Sequence, residues 1–319
     1  MVALQKITES VFDEVYGTFL ADDDPHLSKV DWQRLFTLSP HQDEDHSGYA
    51  LFDGDQAVGM LGMIFSKRTI NGTVRRFCNL HSWYVDDAYR GHSLALMRPA
   101  LRLSGHTLTD FSPTDRVCAI SKKLGFKRLD SRLRILLPSW RLAGHADVAL
   151  NEDPAIIATR LTDADAKLLE DHRHDAFGHL LVEEGDSYCY TIFNRVERHA
   201  MPYCHVHYIS NQDLFARHAQ PIRRCMIKTT RGRYVAFDAR LSAGAKLRAS
   251  VIVPFGSQQL FRPADVRPEE IDSLYSEVSL LGLTTFPNLS HTLRQWAQPL
   301  RNLWPGGETR SAILHGAKN

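Results

Sequence analysis

The sequence predicts an α/β protein of the α+β kind, a mixed, mostly antiparallel sheet with flanking helices, built twice in tandem. Three observations carry that expectation. Between Gly48 and Val85 three apolar runs are separated by Asp53-Gly54 and Asn71-Gly72, dipeptides that readily adopt the left-handed turn of a β-hairpin. After Val85 the pattern becomes helix, strand, helix, strand, which is what a mixed sheet with covering helices requires. Beyond residue 150 a loosely similar order starts again, although no motif is visibly duplicated.

Taken in order, residues 5–20 read as a strand and a helix, with Thr8 at the cap and Val11, Phe12, Val15 and Phe19 on one face. The polar stretches ADDDPH and SPHQDEDHSG are loops around a short helix, VDWQRLFTL. The three-stranded meander follows. Next come a helix from Ser93 to Ser104, a strand TLTDF, a helix from Thr114 to Leu124, and strands in GFKRL and LRILLP. From Ser139 to Asp153 periodicity fails, which places a linker there and divides the chain into 1–145 and 151–319. In the second half IIATRLTDADAKLLEDHRHDAFG reads as strand then capped helix, SYCYTIFNRVE and YCHVHYIS as strands, NQDLFARHAQPIRRCMIKT as one helix and RYVAFDARL as a strand. RPEEIDSLYSEVSLLGL reads as a helix with Ile271, Leu274, Val278 and Leu281 as its packing stripe.

Composition narrows the function. With 319 residues, 43% hydrophobic and 24% charged, the chain can bury a sizeable core. Lys+Arg 38 against Asp+Glu 37 leaves a net charge of +1, so no global field draws it to nucleic acid or to a membrane, and any anion site has to be local. No apolar run approaches the roughly 20 residues that span a bilayer, and a cytoplasmic location is expected. The 5 cysteines are odd in number and form no CxxC pair, against a disulfide framework or a structural zinc. His205 and His207 share one face of a strand at a spacing that suits a metal, but no third ligand is identifiable; polar positions on a sheet face are the plainer reading, and no metal is expected. The basic stretch PIRRCMIKTTRGRYV lacks the aromatic interleaving of a single-strand binding groove; it is a solvated helix end or a contact for an anionic substrate part.

One fragment points to chemistry. Arg90-Gly91-His92-Ser93-Leu94-Ala95 lies between a β-prone run ending at Val85 and a helix start near Ser93. The first amides of a helix are unpaired and carry partial positive charge, so small residues there let a phosphate approach, and Arg90 adds a cation. On the fragment alone, a phosphate loop and a plain connection stay equally open. The surrounding block, LHSWYVDDAYRGHSLAL followed by SPTDRVCAISKKLGFKRL, resembles the GCN5-related N-acetyltransferase superfamily. That superfamily's signature is a strand ending in Val, an Arg/Gln-x-x-Gly-x-Gly/Ala turn, a helix, and a later helix ending in Lys-Leu-Gly-Phe. The resemblance covers residues 80–127 by motif and about 1–140 by order of elements.

The resemblance implies an acyl-CoA N-acyltransferase fold, acetyl-CoA or another acyl-CoA as co-substrate, and a primary amine of a small molecule, sugar or amino acid as acceptor. By position, Val85 would meet the pantetheine, and Arg90, Gly91, His92, Ser93, Leu94 and Ala95 would wrap the pyrophosphate. Ser93 stands where the pattern usually has Gly, and Pro99 falls inside the helix, where it removes a donor and crowds the preceding turn. The superfamily often places a base carboxylate on the fourth strand and an acid tyrosine four residues before Gly-Phe. Here RRFCNLHSWYV has no carboxylate before Asp86, and the tyrosine position is Ser121. His81 is left as candidate base and Ser121 as candidate acid, against a packing histidine and a structural serine. Should both plain readings hold, the alternative is a catalytically degenerate binding or regulatory protein of the same fold. Two-domain architecture also brings in the aminoacyl-tRNA-dependent peptidyl transferases of cell-wall synthesis, against which near-zero charge and the coenzyme loop both weigh.

Overall fold

A computed structural model describes residues 1–36, 44–130, 132–137, 148–174, 176–198, 201–242, 244–255 and 257–283, so most of the expected linker lies outside the described residues. In chain order these are β1 (Val2–Lys6), α1 (Glu9–Val15) running into a π-helical turn, α2 (Lys29–Phe36), β2 (Gly48–Asp53), β3 (Gln56–Ile70), β4 (Thr73–Val85), a 3-10 turn Asp87–His92, α3 (Ser93–Leu101), β5 (His106–Asp110), α4 (Asp115–Lys123), β6 (Lys127–Arg128) and β7 (Arg132–Leu136). The later elements are β8 (Ala149–Asn151), α5 (Pro154–Ala158), α6 (Asp163–Asp171), β9 (Phe177–Glu184), β10 (Ser187–Arg198), β11 (Met201–Ile209), α7 (Gln212–Arg217), α8 (Ala219–Thr230), β12 (Tyr234–Asp238), β13 (Ser250–Pro254), β14 (Leu260–Arg262) and α9 (Glu277–Leu280).

The meander forms as its turns dictate: Gly54 has φ 63°, and Asn71 and Gly72 have φ 51° and 74°, the consecutive left-handed pair of a tight hairpin. Two sheets result, ordered β1-β2-β3-β4-β5-β14-β6 and β8-β9-β10-β11-β12-β7-β13. Within each described sheet one pair is parallel, β4 with β5 and β11 with β12, and the others are antiparallel. The two orders match position for position, so the second half repeats the first. They differ in provenance: β14 is inserted beside β5 and β7 beside β12, so each half lends one strand to the other's sheet. The core is shared as well. Phe12, Trp32, Phe36, Met60 and Ile64 pack in one cluster with Phe177, Tyr190, Ile192, Leu274 and Tyr275.

Several elements differ from expectation. IIAT is helical, because Asp153 caps the Ala155 amide and Pro154 opens the helix, and these start signals outweigh the β-branched run. The single helix expected from Asn211 is two, broken at His218; Pro221 suits the first turn of α8, where amides are unpaired anyway, and does not suit the middle of a longer helix. The segment FGHLLVEE is a strand, β9. The helix expected over RPEEIDSLYSEVSLLGL is instead a strap: a 3-10 turn Pro268–Glu270, a non-helical run, and the single turn α9. Its apolar stripe is satisfied, with Ile271, Leu274 and Val278 all buried. Its polar groups decide the conformation, since Asp272 pairs with buried Arg68 and Tyr275 donates to Asp171 at 2.6 Å. Among the described residues no helix is long and apolar enough to cross a membrane.

Candidate active site

Parallel strands diverge at the centre of the first sheet. The β4–β5 ladder runs from Arg76–His106 to Asn79–Thr109 and ends there, while β4 continues to Val85, paired among the described residues only with β3. In the same stretch β4 bulges, with Ser82 and Trp83 together opposite Leu61, and Ser82 adopts φ 50°. A bulge of this kind turns a strand and re-aims its side chains. Gly62 makes room for it: a Cβ there would lie 2.2–2.7 Å from ring atoms of His81. The result is an open cleft of about 150 Å³ lined by Asp23, Trp32, Leu61, Leu80, His81, Ser82, Trp83, Tyr84, Met97, Asp110, Ser112, Pro113, Thr114, Val117, Glu277 and Leu283.

The cleft contains a buried carboxyl pair. Asp110 ends β5 and Glu277 opens α9, with exposures of 7% and 3%. Burial raises the Asp110 carboxyl well above its usual range, and the neighbouring Glu277 raises it further. Burial also raises Glu277, but the Ser112 hydroxyl and the Asn79 amide donate to its two oxygens at 2.6 and 2.5 Å and oppose the shift. Asn79 is itself held by the Thr109 hydroxyl at 3.0 Å. These donors favour charge on Glu277 and leave Asp110 the more readily protonated of the two. Two other buried polar atoms on residues of the lining, Trp32 Nε1 and His81 Nε2, have no hydrogen-bond partner among the described residues.

No protein-family model matches the sequence, and no curated protein sequence matches it. Solved structures do match. A GCN5-related N-acetyltransferase from Anabaena variabilis overlays with TM-score 0.56 and 12% identity, over 82% of this chain and 72% of that one. Another, from Kribbella flavida, gives 0.54 and 17% over 82% and 70%. A conserved protein of unknown function from Enterococcus faecalis gives 0.55 and 10% over 84% and 74%. The chain has the GCN5-related N-acetyltransferase fold.

Within the acetyltransferase fold the residues singled out in the sequence fall in three places. His81 lines the cleft with its Nδ1 3.1 Å from Ser82 Oγ, and burial pulls its pKa down to about 3. Ser121 is 1% exposed on α4, its hydroxyl without a partner among the described residues, and it is not among the cleft residues, whose nearest members along the chain are Thr114 and Val117. Val85 closes β4 opposite Gly59. Arg90, Gly91 and His92 complete the exposed 3-10 turn that leads into α3 at Ser93, Leu94 and Ala95. Arg90 pairs with Asp87, and Ser93 N–H donates to the Arg90 carbonyl. Pro99 sits inside α3, which ends at Leu101. Gly91 has no positive φ, and a Cβ there would meet nothing within 4 Å, so neither backbone strain nor packing within the chain demands a glycine.

Among the described residues the second half offers no matching turn. After β11 the Asn211 side chain itself accepts from Leu214 N–H at 3.0 Å, and Asp213 lies in the first turn of α7, so that helix start is capped and acidic. His205 and His207 do share a face of β11, ring centroids 4.2 Å apart, but His207 Nε2 is given to Asn194 Oδ1 at 3.1 Å. Asp110, Glu277 and Trp32 were not found by reading the sequence. A carboxylate at the end of a parallel strand was the one available signal, since Glu277 lies 198 positions from the Asn79 that holds it.

Proposed function

We propose that this chain is an N-acyltransferase that moves an acyl group, acetyl in the simplest case, from acyl-coenzyme A to a primary amine of a small molecule, sugar or amino acid. The observation that carries the reading is the buried Asp110–Glu277 pair in a cleft opened by two separating parallel strands of the acetyltransferase fold. An extended pantetheine arm suits the edge of β4 beyond Asn79, which has no strand partner on the side of β5. Val85 and the turn Arg90 to Ala95 would hold the coenzyme, with Gly91 left bare for close approach of its phosphates. The first half thus carries the coenzyme, and the second half contributes Glu277 to the acceptor side.

Glu277 is the base in this scheme. A histidine whose pKa is pulled to about 3 holds a proton poorly, whereas a raised carboxyl lies nearer neutral pH, where base catalysis is efficient. The amine nitrogen bonds to the thioester carbon, the carbon–sulfur bond breaks, the amine proton passes to the carboxyl pair, and the pair returns a proton to the coenzyme thiolate. Trp32 Nε1–H, a buried donor without an acceptor, is the type of group that a developing oxyanion requires. Calorimetric titration with acetyl-CoA tests the coenzyme site: the native chain binds, and Gly91→Glu, which adds a negative charge at the turn, weakens binding at least about tenfold. Native protein that binds no acyl-CoA refutes the proposal.

A further inference from the structure

The lining of the cleft is unbalanced in charge. Asp23, Asp110 and Glu277 are carboxylic, and no lysine or arginine is among the lining residues described. His81 adds no cation at neutral pH, because burial keeps it neutral. The carboxyl groups sit in two places: Asp110 and Glu277 are buried, while Asp23 is exposed and accepts a hydrogen bond from the Tyr84 hydroxyl. Trp32, Trp83 and Tyr84 also line the cleft, and aromatic rings of this kind attract cations. His81 Nε2, buried and unpartnered, is a further acceptor once Nδ1 donates to Ser82. Every unmatched group on this side, the Trp32 donor apart, calls for a donor or a positive charge.

Resting on the acyltransferase reading above, we infer that the acceptor is a doubly cationic amine, an aliphatic diamine being its simplest form. One ammonium gives up its proton to the carboxyl pair and attacks the thioester; the other stays charged beside Asp23 and the aromatic walls. Per turnover, an ammonium and an acyl-CoA yield an amide, free coenzyme A and one released proton. An acceptor with a carboxylate at its far end meets Asp23 with like charge and is rejected.

Three five-carbon probes separate the charges at constant length: cadaverine, pentylamine and δ-aminovalerate, each assayed with acetyl-CoA for kcat/KM and titrated calorimetrically into the protein. Cadaverine is expected to exceed pentylamine by about tenfold, with δ-aminovalerate lowest. Asp23→Asn, an exposed and conservative change, brings the cadaverine-to-pentylamine ratio toward one, as does raising ionic strength from about 0.05 to about 0.5 M. If acetyl-CoA binds and δ-aminovalerate equals or exceeds cadaverine, this inference is overturned while the acyltransferase reading stands. If acetyl-CoA does not bind, the acyltransferase reading fails; cadaverine binding that Asp23→Asn abolishes then still supports a dication site, and no cadaverine binding refutes it.

Discussion

Two carboxyl groups acquire chemistry from their surroundings rather than from their identity. Asp110 and Glu277 would ionise in the ordinary acidic range if exposed; burial raises both, Glu277 raises Asp110 further, and two donors at Glu277 favour its charged form. Glu277→Gln keeps the shape and removes the base. It should lower kcat by about 10²–10⁴-fold while leaving acetyl-CoA affinity close to native. The native kcat/KM should fall as pH drops through the raised carboxyl pKa, because the base must be ionised, and that acid limb should vanish from the residual rate of the variant. A variant rate within about threefold of native would exclude Glu277 as base. Neither carboxylate stands out in the sequence: each is an ordinary acidic residue in an apolar run, and only the third dimension brings them together.

At the scale of elements, the strap from Pro268 to Leu280 controls what the cleft contains. It is tied down at Asn71, where the side chain donates to Glu270 at 2.9 Å, at buried Arg68 through Asp272, and at His172, whose Nε2 lies 3.2 Å from the Leu274 carbonyl. Asp272→Ala leaves Arg68 as an uncompensated charge in the interior, a loss of about 3–5 kcal/mol that denaturant unfolding measures. The same change should lower kcat, since Glu277 is carried on the loosened segment. Unchanged stability would mean that the pair does not anchor the strap. The periodic stripe Ile271, Leu274, Val278 suggested a helix because burial was required at each position; a strap pressed between two halves buries the same residues.

For the whole molecule, the exchanged strands β7 and β14 make the two sheets interdependent, and the core between them is rich in buried histidine. Burial pulls His81 and His205 down to about 3 and His179 to about 4. Each stays neutral when folded and takes up a proton on unfolding below its ordinary pKa of about 6.5. Their contribution to stability is therefore fully present above that pH and lost as pH falls toward 4 and 3. The slope is about 1.4 kcal/mol per pH unit for each histidine, or about 4 for the three. Urea midpoints should fall between about pH 6 and pH 4, in one transition, with net proton uptake on unfolding; His172 and His207 add to the uptake of the three, and the raised Asp110 and Glu277 oppose it. A midpoint that holds steady over that range would refute this account.

The sequence by itself determined the local pieces: the Asp-Gly and Asn-Gly hairpins, the strand, turn and helix around Arg90 to Ala95, the helix ending at Leu124-Gly125, and through them the acetyltransferase fold. These depend on backbone preferences acting within a few residues, so they are written where they act. Tertiary structure alone decided the reciprocal placement of β7 and β14, the strap in place of a helix, and the pairing of Asp110 with Glu277. Each of these turns on desolvation or on pairing between groups far apart in the chain, and such energies exist only once the chain has folded.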